Sequence, residues 1–241
     1  MHISVMWVAP AGGGSAAGVV NFEQSQLFSV ANMTINSAAG GTGGVNANAV
    51  AASNGQAAAV AGVVQVQASG GISIAPQISA ATGNVLLQAA TGITNGAGGA
   101  VVVEATQLNL RNTTSGNVLA SNTGNITVTG NSNVGRMQLA SSTGDITLNG
   151  TVNASAAGDA IVLTANKKLV NNAGSGALTV ANGARWLVWS QTPVNNSFGG
   201  LQSGNAALWG TAFNPAGPTV GGTANQFIFS DAGPGDRKSV V

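Results

Sequence analysis

Charge is scarce in this sequence: seven Lys+Arg and six Asp+Glu among 241 residues, or 5%, where a soluble domain carries about 25%. A formal net charge of +1 gives no field to hold a polyanion, which excludes nucleic acid as a partner. Cysteine is absent and there is one histidine, His2. No disulfide can staple the fold, and no zinc or thiolate site can be built from the usual ligands. Neither a metal nor a cofactor is therefore expected. Tyrosine is also absent, and the long stretch between Phe28 and Trp186 contains no aromatic at all. A globular core of that size would use several, because rings supply much of its buried area. The most apolar run, 49–64, is mostly alanine and is broken by Ser53, Asn54 and Gln56, so no transmembrane segment is expected.

Glycine (36) and asparagine (26) are abundant instead. Low charge with polar small residues is one signature of disorder. Yet 44% of the residues are hydrophobic and the mean hydropathy is +0.27, enough to bury a long core.

The apolar residues recur in a repeat. SNTGNITVTG (121–130) aligns with SSTGDITLNG (141–150), and six of the ten positions are identical. Leu119-Ala120 recurs as Leu139-Ala140, and weaker Gly-Asx-apolar units begin at Gly83, Gly116 and Gly158. Within the unit, Ile126-Thr127-Val128-Thr129 and Ile146-Thr147-Leu148-Asn149 alternate apolar and polar residues, the period of a half-buried strand. Gly124-Asn125, Gly144-Asp145 and Gly158-Asp159 mark the turns, since Gly and Asn tolerate positive φ.

Short strands, Gly/Asx turns and a repeat that carries position 121 onto 141 predict an all-β fold, a right-handed parallel β-helix. It is a solenoid of roughly 20-residue coils, with Ile126 stacked on Ile146 and Thr127 on Thr147 at about 4.8 Å per coil. Asn side chains at the turns are expected to form amide ladders. A narrow coil interior takes Val, Ile, Leu and Ala, and would admit rings only with local widening.

Composition changes at Ala184-Arg185. The stretch 185–229 holds seven of the ten aromatics. Trp186-Leu187-Val188-Trp189 and Phe227-Ile228-Phe229 read as strands joined by a Pro/Gly-rich connection, with Trp209 and Phe213 available to close over the last coil. Trp186, Trp189, Phe198, Trp209 and Phe213 thus form either a hydrophobic plug, which stacked folds require at their ends, or an aromatic sugar-binding platform. The plug is the expected reading.

The tandem TGN/TGD-Ile-Thr-apolar units resemble the repeats of filamentous-haemagglutinin-like exoproteins, large Gram-negative adhesins exported by two-partner secretion. Arg185-Trp186-Leu187-Val188-Trp189-Ser190, followed by Pro193, Asn196, Phe198-Gly199-Gly200-Leu201 and Trp209-Gly210, resembles the segment that ends the β-helix in many members. The resemblance covers residues 80–232. It implies a secreted, cell-surface rod that attaches to host or surface glycans or proteins, and an outer-membrane transporter that exports the full-length protein.

β-Helices also host polysaccharide lyases and hydrolases, so a fragment of a β-helical carbohydrate-active enzyme is the alternative. That chemistry needs converging carboxylates. The acidic residues are Glu23, Glu104, Asp145, Asp159, Asp231 and Asp236. Asp145 occupies the turn position held by Asn125 one coil earlier, and Asp159 sits in the same Gly-Asx context, so both read as turn residues and no catalytic residue is assigned. Two of Glu104, Asp145 and Asp159 within about 10 Å across a groove would restore the enzyme reading. Lys167-Lys168 reads as a solvated loop pair. The chain thus divides into a weakly patterned, β-helix-like segment (1–45), β-helix repeats (46–184), an aromatic terminal strand and cap (185–232), and a tail (233–241). Asp236-Arg237-Lys238-Ser239-Val240-Val241 matches the translation of a common sequencing-adapter read, and the tail is expected to be an artefact.

Overall fold

A computed structural model describes residues 84–95, 98–181, 183–204, 207–217 and 219–233 with their side chains. Upstream it gives the backbone of the strands Met6–Val8, Gly14–Ala16, Val20–Asn21, Gln26–Ser29, Met33–Ser37, Val45–Asn46, Val63–Ala68 and Ile72–Ala75, and of the start of Gln77–Ala89. His2, Phe22, Glu23 and residues 234–241 lie outside the described residues.

The protein is an all-β parallel solenoid with about six turns in the fully described part and no helix among the described residues. Each repeat unit supplies one rung to each of three faces. Val118–Asn122, Met137–Ser141, Asp159–Ala165 and Arg185–Ser190 stack in parallel on the first face. Asn125–Val128, Ile146–Leu148 and Leu169–Asn171 stack on the second. Ser132–Val134, Val152–Ala154 and Leu178–Val180 form a three-stranded sheet on the third.

Alternation drives this winding. Along Val101–Asn112, Val101, Val103 and Ala105 are buried and the residues between them exposed. The phase then slips, and Leu108, Leu110 and Asn112 are buried. The slip coincides with a register shift between Ala105 and Gln107, where one long strand bends around the corner from the first face to the second.

Inward residues of successive coils lie directly on one another. Val85, Leu108, Ile126, Ile146 and Leu169 form one column of fully buried side chains. As predicted, Ile126 pairs with Ile146 and Thr127 with Thr147. The steps along the column lengthen from Leu108 to Ile126, to Ile146 and then to Leu169. The next step on this face, from Val170 to its bridge partner Ser197, is longer still. Extra residues enter at the corners, so the strands keep their alignment while the turns vary.

No ring enters the described interior until the last turns. There Trp186 replaces the Ile161 of the rung below, and Phe198 and Phe227 pack beside it. This is also where the coil lengthens. The step from Val188 to its partner Phe227 takes in far more chain than the step from Ile161 to Trp186. The added chain runs through the loop after Ser190 and through the residues that pack against the outward side of the first face.

The aromatic segment continues the rod. Arg185–Ser190 is itself a rung of the first face, and Gln226–Phe229 stacks upon it. The two-residue strand Ala207–Leu208 then pairs with Gln226–Phe229 as the outermost strand, out of chain order. A very short edge strand offers little backbone for another chain to pair with.

Candidate functional site at the corner of the last coils

The turn residues singled out from sequence divide by mechanism. Gly158 takes φ +69° with open space where a methyl group would stand, so its turn needs a left-handed backbone. Gly124 and Gly144 lie outside that region. A Cβ on Gly124 would come within 2.4 Å of the Ala105 carbonyl oxygen and 2.5 Å of that of Thr106. On Gly144 it would come within 2.8 Å of the Asn125 nitrogen. These glycines are required because coils approach closely along the rod axis, a constraint that the turn-conformation argument missed.

Asparagine ties the coils together, though mostly through backbone. Asn125 Oδ1 accepts from the Asp145 N–H at 2.9 Å. Buried Asn122 accepts from the Ala105 N–H (3.0 Å) and donates to the Ala105 and Asn125 carbonyls (3.1 and 2.8 Å). Amide-to-amide ladders of the expected kind join Asn153 to Asn133 at 3.1 Å and Asn172 to Asn149 at 2.9 Å.

The aromatics interlock with one another. Trp186 and Trp189 are almost fully buried. Trp186 meets Phe227 at 5.0 Å between centroids, Phe198 meets Phe227 at 4.4 Å, and Trp209 meets Phe229 at 4.9 Å. Trp189 points outward from the first face, where Phe213 packs edge-on at 5.2 Å and Trp189 Nε1 donates to the Thr211 carbonyl at 2.9 Å. The residues after Leu208 therefore wrap the outside of the first face. A second small core forms there from Val162, Leu187, Trp189 and Ile228, with Leu208, Phe213 and Val220 against it. Trp209 alone among these rings is exposed (37%). This packing is that of an aromatic cluster near the C-terminus, part within the last rungs and part against the outward side of the first face.

One buried cation fastens the wrap. The Arg185 guanidinium ion-pairs with Asp159 and donates to the carbonyls of Val220 (2.7 Å) and Gly221 (2.9 Å). Asp159 is thus the ion-pair partner of a residue one coil on, in addition to its place at a turn. Nothing in the sequence links the two beyond the rarity of charge.

A polar groove lies at the corner between the first and second faces. It is open, with a volume of about 590 Å³. Asp145, then Lys167 and Lys168, then Gln191, Thr192, Val194 and Asn195 from the loop inserted after Ser190 line it from three successive coils, with Lys167 N–H bonded to the Gly144 carbonyl and Gln191 N–H to the Lys167 carbonyl, both at 3.1 Å. Lys168 and Asp145 sit 3.7 Å apart with both side chains partly exposed. The lysine pair is solvated, as read from the sequence, and it also borders the groove.

That loop is held firmly. Asn196 accepts from the Leu169 N–H at 2.6 Å and donates to Ser190 Oγ at 2.9 Å and to the Thr192 carbonyl. Asn195 takes φ +71°, a left-handed conformation that asparagine tolerates better than most residues.

The carboxylates are spread along the rod. Asp145 is the one acid that lines the groove. Asp159 begins the strand Asp159–Ala165, whose far end leads to the groove, a span of roughly 20 Å at strand rise. Glu104 lies at the same corner as Asp145 but two rungs away. Among the described residues no three His, Cys, Asp or Glu side chains group as metal ligands, and no helix is long and apolar enough to cross a membrane.

What fold and site define together is a parallel β-solenoid with an aromatic cluster near its C-terminus and a charged corner groove beside it. No family model matches the chain, and neither the curated proteins nor the solved structures yield a match.

Proposed function

We propose that this chain is a rod segment of a large secreted or cell-surface adhesin-like exoprotein of the filamentous-haemagglutinin kind, mediating attachment to cells or surfaces. The carrying observation is the repetition of uncharged polar side chains on outward positions, coil after coil. Thr127 stands on Thr147, and Asn133 on Asn153, while Ile126, Val128, Ile146 and Leu148 turn inward. Such a surface resists self-association through apolar contact and presents hydrogen-bonding groups at a regular spacing of about 4.8 Å. The partners of this reading are host or surface glycans or proteins, and the export route is an outer-membrane transporter acting on the full-length protein. The groove lining includes a single carboxylate, which favours binding over glycoside hydrolysis, a reaction that uses a pair of acids.

Beads coated with the purified chain, applied to epithelial cells and to an immobilised glycan panel, test the reading. Saturable retention without release of new reducing ends is the expected result. Reducing ends released from any polysaccharide at an enzyme-dependent rate would favour the carbohydrate-active alternative, and retention no better than on blocked beads would defeat the attachment role.

A further inference from the structure

Nine charged side chains are described in the fold, and three of them, Asp145, Lys167 and Lys168, meet in the corner groove. The Lys168 ammonium lies 3.7 Å from Asp145, too far for a good hydrogen bond, so its donors are available to another acceptor. Lys167 is exposed beside it. The groove therefore carries one positive charge in excess, enough for one carboxylate. A phosphate dianion would overbalance it and meet Asp145.

The part of the lining one coil on, 191–195, is uncharged. Gln191 and Asn195 are exposed amides that offer both donors and acceptors, and Val194 is exposed to 65%. Amides suit hydroxyl groups, and an apolar side chain suits the C–H face of a sugar ring. The anchoring by Asn196 fixes this part of the lining before any ligand arrives, which lowers the entropy cost of binding. A volume of about 590 Å³ falls within the usual range of small-ligand sites, about 300–1,000 Å³.

We infer that the corner groove binds a carboxylated sugar, a uronate or sialate unit of a glycan. Lys167 and Lys168 take the carboxylate, Gln191 and Asn195 take ring hydroxyls, and Val194 lies against the ring. This names the ligand class for the attachment reading and rests on that reading for its purpose, although the binding is measured independently.

The test is amide NMR on the labelled full chain, titrated separately with glucuronate, N-acetylneuraminate, glucose, inorganic sulfate and a triglutamate peptide. The two acidic sugars should give saturable shifts confined to residues 145, 167–168 and 191–195, with glucose at least tenfold weaker and sulfate and peptide unsaturated there. Lys167→Gln, at an exposed position, should weaken glucuronate at least fivefold and leave the rest of the spectrum in place, while Lys167→Arg retains binding. Sulfate or triglutamate binding as tightly as glucuronate would overturn the assignment, as would glucose doing so, shifts centred elsewhere, or full affinity in Lys167→Gln. Beads that still attach to cells when the groove takes no acidic sugar would leave the attachment role standing and remove this inference. Glucuronate binding by a chain that attaches to nothing would do the reverse.

Discussion

Substituting Gly124 by alanine separates axial crowding from turn conformation as the reason for glycine at the coil corners. The added methyl would lie 2.4 Å from the Ala105 carbonyl oxygen and 2.5 Å from that of Thr106, well inside the 3.4 Å at which ordinary contact begins. To restore ordinary contact the two coils must part by about an ångström at a corner where they are hydrogen-bonded. Gly124 N–H donates to Ala105 O at 3.1 Å, and Ser141 Oγ donates to Gly124 O at 2.7 Å. Overpacking costs about 1–3 kcal/mol and weakening two hydrogen bonds about 1 kcal/mol each. Restricting the unfolded chain returns about 0.4–1 kcal/mol. The net loss is about 2–4 kcal/mol. Gly158→Ala is the control. Its φ of +69° costs a β-carbon about 1–2 kcal/mol, but with nothing within 4 Å there is no collision, and after the same unfolded-state gain the loss is about 1 kcal/mol. At roughly 2–4 °C per kcal/mol for a chain of this size, Gly124→Ala should melt about 4–16 °C below the parent and Gly158→Ala about 2–4 °C below. Thermal and urea transitions followed by circular dichroism measure both. Equal losses, or a larger loss in Gly158→Ala, would refute coil-to-coil crowding as the constraint at this corner.

Three further substitutions probe the wrap, its anchor and the groove. Trp189→Ala removes a side chain 1% exposed with a hydrogen bond to Thr211; a loss of about 3–5 kcal/mol is expected, with protease cleavage appearing between positions 207 and 225 before the rod melts. Arg185→Met strands Asp159, whose side chain is 35% exposed and so stays partly hydrated. A loss of about 2–3 kcal/mol should follow, and adding Asp159→Asn should recover part of it in urea titrations; no recovery would show that the pair contributes nothing beyond packing. Asp145→Asn changes a loose pair whose lysine side chain is 41% exposed, so stability should move by no more than about 0.5 kcal/mol. A melting point lowered by more than about 8 °C, or the loss of a measured hydrolase activity, would show that this position is more than a turn.

The fold was legible because a solenoid writes its architecture into local pattern. Alternation in 126–129 and 146–149, repeated at a fixed offset, specifies a strand, its partner and its register at once, since identical residues must stack. The aromatic cluster was legible for a related reason: rings concentrated after Ala184 have no counterpart in the narrow coil below. What stayed hidden depends on geometry between coils. Gly124 and Gly158 look alike in sequence, yet one is fixed by a neighbouring carbonyl and the other by its own backbone. The ion pair of Arg185 with Asp159 and the wrap of 207–225 over the first face depend on coil lengths that the irregular spacing left open. The groove was missed because its lining residues, Asp145, 167–168 and 191–195, come from three successive coils. Its visible signal was two adjacent lysines in a chain with almost none.

That scarcity gives the placement of charge its meaning. A solenoid built from Val, Ile, Leu, Ala, Thr and Asn needs no ion pairs for solubility, because its outward amides and hydroxyls are hydrated and its ladder bonds are satisfied coil to coil. Charges introduced at random would fall on every face. Among the described residues, five of the nine instead gather in two places: Asp159 with Arg185 under the wrap, and Asp145 with Lys167 and Lys168 in the groove. Both lie in the last coils, where turn insertions lengthen the repeat. The first place has a structural reason in the buried guanidinium and the carbonyls that it gathers. The second lacks one, since a loose, half-exposed pair and a neighbouring exposed lysine add little stability. Charge that does little for the fold, set beside a firmly held polar loop, is what a binding site requires.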